Sequence, residues 1–177
     1  PDHVRYTEYV RRDAVTERED IERVQQVGKL LVARGWMLAT AESCTGGLIG
    51  HLVTEVSGSS DYFAGGVVAY ANDVKMGILK VPPRDISSYG AVSPSVARTM
   101  AHSVRNLLGV EIGLSATGIA GPTGGTPDKP VGTVYLGISS PLGEAVEQHI
   151  WPYDREMNKL ASARRALDMV IDLLRED

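Results

Sequence analysis

The sequence predicts an α/β fold: a three-layer α/β/α sandwich with a mixed, mostly parallel sheet. Short apolar runs alternate with longer stretches that repeat apolar residues at helical spacing, which is the pattern of strands joined by crossover helices. Two runs near the C-terminus are separated by the turn "SPLG", which predicts an antiparallel hairpin and therefore a mixed sheet. A length of 177 residues fits one domain with a sizeable core.

The chain begins with a charged segment and continues into a helix. Residues 1–20 are dense in charge and poor in large aliphatic side chains, so we interpret them as a solvated N-terminal arm, with a partner-docking extension as the alternative. A helical stripe follows, and Gly35 provides its stop. The stripe consists of Ile21, Val24, Val27 and Leu31. We therefore expect a single domain over residues 21–177.

The later elements are predicted from strand and helix signals in chain order. The predicted strands are 36–41, 65–71, 111–119, 131–139 and 144–151. Ser93 followed by Pro94 is typical of a helix start, and Gly109 is typical of its end. Asp154 is placed to cap a C-terminal helix whose apolar stripe runs from Met157 to Leu174. Apolar stripes at this spacing are typical of core faces.

Composition and charge exclude several function classes. A net charge of -4 argues against a nucleic-acid partner, because phosphate neutralisation needs clustered Lys and Arg. No apolar stretch approaches the roughly 20 residues of a membrane span, so no membrane partner is expected. A single cysteine cannot form an internal disulfide, and we expect a cytoplasmic protein. The sequence has no paired Cys, no His-x-x-x-His and no carboxylate cluster, so we expect neither a metal nor a cofactor.

Three polar clusters lie at or just after predicted strands. They are "AESCTGG" (41–47), "AYANDVK" (69–75) and "ATGIAGPTGG" (116–125). Ligands of open α/β sheets bind beyond the carboxyl ends of the strands, where loops lead into helix N-termini. We therefore expect one cleft to collect all three clusters.

The first cluster places three candidate nucleophiles side by side: Ser43, Cys44 and Thr45. Gly46 and Gly47 follow and would let the backbone approach a ligand closely. A helix that starts near Thr45 would present free N–H groups to a phosphate or a developing oxyanion. The alternative is a capped tight turn without a ligand, and local residues alone do not separate Ser43 from Cys44.

The second and third clusters supply a candidate base and a binding loop. Lys75 lies among apolar residues, where desolvation would lower its pKa so that it takes a hydroxyl proton. One alternative is that the Lys75 side chain extends to solvent, and another is that His51 is the base. Tyr70 and Asn72 accompany it. The glycine-rich loop after Thr117 offers many backbone N–H groups and ends near one cation, Lys129, which makes a phosphate ligand plausible. A mobile surface loop is the alternative.

Five ordered blocks together resemble a known family. "TAESCTGG", "VVAYANDVK", "GAVS", "ATGIAGPTGG" and "KPVGTVY" are similar to the C-terminal domain of the competence/damage-inducible protein CinA, whose stand-alone members are nicotinamide mononucleotide deamidases (nicotinamide-nucleotide amidases). The resemblance begins near residue 20. It implies metal-independent hydrolysis of nicotinamide mononucleotide to nicotinic acid mononucleotide and ammonia. It also implies that Ser43 is the nucleophile, Lys75 the base and Thr117 an assisting hydroxyl.

We expect the substrate to contact residues of the three clusters, of the glycine-rich loop and of the start of the last helix. These are Thr45, Gly46, Gly47, Tyr70, Asn72, Gly118, Ala120, Gly121, Lys129 and Arg155. Amides around Thr45 and Gly46 are then expected to hold the oxyanion, Thr45 to cap the helix, and Cys44 to face the core. We expect a small-molecule nucleotide as the partner, and a homo-oligomer.

The chain departs from the family pattern after the last predicted strand. Tyr153 stands where the family has a glycine, and Lys159 lies near a family arginine, whereas Arg155 is retained for a phosphate contact. These departures leave open a catalytically weak nucleotide-binding or partner-binding module as the alternative function. Phosphoryl transfer is disfavoured because no paired acidic residues for Mg²⁺ accompany the glycine loops.

Overall fold

A computed structural model describes residues 14–175 of the chain. Its helices and strands are α1 (Ala14–Arg34), β1 (Leu38–Glu42), α2 (Leu48–Thr54), β2 (Phe63–Val68), α3 (Asn72–Gly77), α4 (Pro83–Tyr89), α5 (Pro94–Leu108), β3 (Ile112–Gly118), β4 (Thr133–Ser140), β5 (Gly143–Ile150) and α6 (Arg155–Arg175), with a 3₁₀ turn at Ser59–Asp61 before β2. Every predicted strand is present, although β2 ends three residues before the predicted boundary.

The first helix begins earlier than the sequence predicts. Helix α1 starts at Ala14, so part of the predicted arm is helical, and residues 1–13 lie outside the described residues. Asp20 is buried and accepts hydrogen bonds from Arg164 of α6 at 2.7 and 2.9 Å. Arg23 also donates to Asp20, at 3.0 Å. This shared carboxylate docks the start of α1 on α6.

The five strands form one mixed sheet in the order β2-β1-β3-β4-β5. Strand β1 pairs in parallel with β2 and β3, and β4 pairs antiparallel with β3 and β5. Four of the five strands therefore point in one direction and β4 alone among them is reversed. This confirms the predicted mixed, mostly parallel sheet and its C-terminal hairpin.

Helices cover both faces of the sheet. Alternate residues of β1 point to opposite faces, so Leu38 joins the core beneath α1, α2 and α6, whereas Ala39 and Ala41 join a second core with α5. Helix α5 lies so close to the sheet that a Cβ on Gly113 would collide with the carbonyl oxygen of Ala101. The predicted three-layer α/β/α sandwich is confirmed.

The sheet direction places the three polar clusters together. Strands β1, β2 and β3 are parallel, so their carboxyl ends lie at the same edge of the sheet. The segments that follow these strands begin at Ser43, Ala69 and Ile119. Among residues 14–175, no helix is both long and apolar enough to cross a membrane.

Candidate active site

Ser43 and Lys75 contact each other in a buried pocket at this edge. Ser43 directly follows β1, and Lys75 belongs to α3, which follows β2. The Lys75 Nζ lies 2.9 Å from Ser43 Oγ, and it also donates to the carbonyl oxygens of Ala69 at 2.8 Å and Tyr70 at 3.1 Å. The Lys75 residue is only 2% exposed. The structure therefore brings the predicted nucleophile and base into direct contact.

The environment of Lys75 favours the neutral amine. Burial lowers the pKa of Lys75, because the charged ammonium loses its hydration. A neutral amine has two N–H donors and one lone pair. Its two N–H groups can donate to Ala69 and Tyr70, which leaves the lone pair to accept the Ser43 hydroxyl proton. The contact geometry thus suits proton abstraction from Ser43.

Glu42 is a site residue that the sequence reasoning missed. Its buried carboxylate accepts hydrogen bonds from the amides of Gly47 and Ile49, both at 3.0 Å, and of Gly50 at 2.9 Å. The free N–H groups at the start of α2 are therefore satisfied by the protein itself rather than by a ligand. A charged residue at the end of the buried strand "LATAE" was the available signal.

The first-cluster backbone plays a different part from the one predicted. The Gly46 amide donates to the Ser43 carbonyl at 3.1 Å, so it is not a free oxyanion donor. Gly46 and Gly47 have φ values of 64° and 98°, and these left-handed conformations explain the two glycines. Gly47 is the N-cap of α2, and the Thr45 hydroxyl has no hydrogen-bond partner among the described residues, so the prediction that Thr45 caps the helix is wrong.

Thr45, Gly46 and Gly47 follow the cleft residue Ser43 but are not themselves part of the cleft lining. Thr45 is fully buried with a hydroxyl that has no hydrogen-bond partner among the described residues. Their role as substrate contacts stays a prediction. The backbone of these three residues forms the turn that follows Ser43 and leads into α2.

Cys44 faces the core, as predicted. Its side chain is 6% exposed and packs in the core beneath α1, α2 and α6. Burial raises the pKa of Cys44 to about 12, and the charge of Glu42 adds to the effect. The thiol therefore stays protonated at neutral pH, whereas Ser43 has a base in contact with it.

The third cluster forms one wall of the cleft. Gly118, Ala120 and Gly121 line the cleft together with Thr117. The Thr117 hydroxyl donates to the Ala91 carbonyl at 2.8 Å, which leaves its oxygen lone pairs as acceptors. The sequence predicted that this cluster lies in the cleft, but not that the Thr117 hydroxyl proton is already engaged.

Lys129 is not a residue of the cleft. Its Nζ donates to the carbonyl oxygens of Tyr89 and Val92, both at 2.6 Å. It therefore holds the segment that connects α4 to α5, and Val92 of this segment lines the cleft. Two carbonyls thus engage its ammonium group, and a contact between Lys129 and a phosphate stays a prediction.

Arg155 and Tyr70 lie at the mouth of the cleft. The Arg155 guanidinium donates to the Gly121 carbonyl at 2.8 Å and to the Tyr70 hydroxyl at 3.1 Å. Asn72 lines the same mouth, whereas Tyr153 does not line the cleft. The cleft has a volume of about 290 Å³, close to the lower bound for small-molecule sites. Among residues 14–175, no three His, Cys, Asp or Glu side chains are arranged to hold a metal.

Comparison with known families identifies the domain. The family model of the CinA C-terminal domain matches residues 20–174. The chain belongs to this family. A CinA-like protein of Salinibacter ruber is 53% identical over 142 residues, which are 80% of this chain and 34% of that protein. A putative competence-damage inducible protein of Moorella thermoacetica is 47% identical over 160 residues, 90% of this chain and 38% of that protein. The chain thus spans about a third of these relatives.

Solved structures of CinA proteins have the same fold. The competence/damage inducible protein CihA from Agrobacterium tumefaciens superposes with a TM-score of 0.85 at 37% identity, over 88% of this chain and 95% of that chain. A CinA superfamily protein from Escherichia coli superposes with a TM-score of 0.85 at 27% identity, over 93% of this chain and 95% of that chain. The CinA fold therefore covers almost all of the described residues.

Proposed function

We propose that this CinA domain is an amidohydrolase that converts nicotinamide mononucleotide to nicotinic acid mononucleotide and ammonia. The observation that supports this most is the buried contact of 2.9 Å between Lys75 Nζ and Ser43 Oγ, which both line a cleft of about 290 Å³. A serine in contact with a desolvated lysine is an activated nucleophile. Amides, which are poor electrophiles, are the substrates that need such activation.

The reaction proceeds through an acyl-enzyme. Ser43 Oγ attacks the carboxamide carbon, and the neutral Lys75 amine takes the hydroxyl proton. The tetrahedral intermediate collapses as the C–N bond breaks, and the Lys75 ammonium returns its proton to the departing ammonia. Water then attacks the acyl ester with Lys75 again as the base. This step releases the carboxylate and regenerates Ser43.

The remaining groups of the cleft orient the carboxamide. The Ser43 carbonyl accepts from the Gly46 amide, so the Cys44 N–H lies on the opposite side of the same planar peptide, and we assign it to the stabilisation of the oxyanion. The Thr117 oxygen, whose proton goes to Ala91, accepts from the substrate NH₂ group. The apolar side chain of Ile119 lines the cleft and covers the pyridine ring.

A direct assay tests this function. Purified protein is incubated with nicotinamide mononucleotide, and released ammonia is measured with and without a chelator. We expect turnover that the chelator leaves unchanged. Ser43→Ala should abolish turnover and keep mononucleotide binding, while the matched control Cys44→Ala should retain most of the activity. An inactive Cys44→Ala beside an active Ser43→Ala would overturn the assignment, and binding without any turnover would favour a nucleotide-binding module.

A further inference from the structure

The segment that connects α4 to α5 is held by side chains of β3 and of the loop after it. The carbonyls of Tyr89 and Val92 both accept from Lys129 Nζ at 2.6 Å. Between these two residues, the Ala91 carbonyl accepts from the Thr117 hydroxyl at 2.8 Å. Thr117 belongs to β3, and Lys129 lies in the loop between β3 and β4. The Ala91 carbonyl is therefore fixed from both sides along the chain.

The backbone of Lys129 is also anchored. Its amide donates to Thr126 Oγ1 at 3.1 Å, and its carbonyl accepts from the Thr126 amide at 2.8 Å. The side chain is thus fixed at its backbone by a local turn and at its ammonium group by two carbonyls. Lys129 forms a brace between the loop after β3 and the segment that carries Ala91.

The bond to Ala91 determines what the Thr117 hydroxyl can offer to a ligand. A hydroxyl has one proton to donate and two lone pairs that accept. Thr117 is 1% exposed and lines the cleft, and its proton is directed to the Ala91 carbonyl. Its lone pairs therefore remain for the ligand. The NH₂ of a carboxamide donates to such an oxygen, whereas an ionised carboxylate only accepts and is opposed by it.

A carboxylate could be accommodated only if the Thr117 hydroxyl turned towards it. This rotation would break the hydrogen bond to Ala91 and leave a carbonyl without a donor, which is unfavourable in a buried position. The carbonyl cannot turn to another donor while the carbonyls of Tyr89 and Val92 are held on either side of it. The brace therefore keeps the Thr117 oxygen as an acceptor.

We propose that Lys129 is a positioning residue that acts through the Ala91 carbonyl and makes Thr117 select a carboxamide over a carboxylate. The proposal rests on the proposed function, in which the substrate and the product differ only in this group. The selection favours binding of the carboxamide substrate and release of the carboxylate product. It is separate from a contact between Lys129 and a phosphate, which substrate and product share.

The test measures binding of both mononucleotides by calorimetry in the full chain with Ser43→Ala, which prevents turnover. With Lys129 intact, nicotinamide mononucleotide should bind about tenfold more tightly than nicotinic acid mononucleotide, the effect of one unsatisfied acceptor. Adding Lys129→Met should reduce this ratio to about threefold or less. Lys129→Arg, which keeps N–H donors, should restore it.

The matched control is Lys80→Met. The exposed Lys80 ammonium also donates to a carbonyl, that of Gly77 at 2.7 Å, and this variant should keep the tenfold ratio. Thermal unfolding checks each variant, and Lys129→Gln replaces Lys129→Met if the latter does not fold. In the chain with Ser43 intact, Lys129→Met should also strengthen inhibition by nicotinic acid mononucleotide relative to KM.

The outcomes separate this inference from the proposed function. A ratio that Lys129→Met leaves unchanged would overturn the inference, and equal weakening of both mononucleotides would assign Lys129 to the shared phosphate instead. A ratio near one with Lys129 intact would overturn it as well. If the wild type releases no ammonia but Lys129→Met still abolishes the tenfold ratio, the inference holds and the amidase function fails. If neither mononucleotide binds, both fail.

Discussion

Replacing Lys75 with Met removes the amine that contacts Ser43 and keeps an apolar stem of similar length. Loss of a general base lowers turnover by about 10²–10⁴-fold, which corresponds to about 3–5 kcal/mol of transition-state stabilisation. The lower bound applies if water replaces the amine. The upper bound applies if the buried pocket, in which Lys75 is 2% exposed, stays dry. We therefore expect Lys75→Met to fold and to lose at least about 10²-fold in kcat/KM.

The same substitution should change how the free energy of unfolding depends on pH, and the pKa of Lys75 determines the direction of this change. Burial lowers the pKa of Lys75 in the folded state below its ordinary value of 10.5. Between the folded and unfolded pKa values the unfolded chain binds more protons, so the wild-type free energy of unfolding rises with pH. Each unit by which the folded-state pKa lies below the unfolded-state pKa adds about 1.4 kcal/mol to this rise in the free energy of unfolding. The free energy of unfolding of Lys75→Met lacks this dependence on pH. In the variant the carbonyls of Ala69 and Tyr70 also lose their donor, which lowers the free energy of unfolding by about 1–3 kcal/mol for each acceptor left unsatisfied.

Two measurements check these expectations. Ammonia release is followed against pH for the wild type and for Lys75→Met, and urea unfolding is measured at pH values on both sides of the lowered pKa. The wild-type rate should rise with pH as Lys75 becomes neutral, and the variant should lose this limb. Lys29→Met, at an exposed position of α1, is the matched control and should change neither profile.

Clear outcomes would refute this reasoning. Near-wild-type turnover in Lys75→Met, with the same pH–rate profile, would show that Lys75 is not the base for Ser43. A difference in unfolding free energy between wild type and variant that does not increase with pH would show that the folded pKa of Lys75 is not lowered. The two results are independent, because unfolding does not depend on substrate.

Two further predictions concern Glu42 and Arg155. Glu42→Gln leaves the amides of Gly47, Ile49 and Gly50 facing a neutral side chain. The free energy of unfolding in urea should therefore fall by about 2 kcal/mol, and turnover should fall as well. An unchanged free energy of unfolding would contradict the capping role of Glu42. Arg155→Ala should weaken binding of nicotinamide mononucleotide by about 1.5–3 kcal/mol and that of the riboside far less. Calorimetry of both ligands measures this, and equal losses would mean that Arg155 supports the fold through Gly121.

Local patterns in the sequence were sufficient for the fold class and for the location of the site. Alternating periodicities and the "SPLG" turn predicted the mixed sheet, because strand and helix spacing depend on residues close together in the chain. Polar clusters after β1, β2 and β3 predicted the cleft, because parallel strands end at one edge of the sheet. Lys75 was a candidate base because its immediate neighbours are apolar.

The roles of individual side chains depended on contacts between distant segments. Lys129 was predicted as a phosphate ligand, but its contacts are 37 and 40 residues away in the chain, and local sequence does not reveal them. Thr45 was predicted to cap α2. In the structure the Glu42 carboxylate accepts from the first amides of α2 instead, because the left-handed conformations of Gly46 and Gly47 turn the backbone between Glu42 and the helix. In each case several polar groups compete for one partner. The tertiary structure decides this competition, because a hydrogen bond depends on distance and angle in space rather than on spacing along the chain.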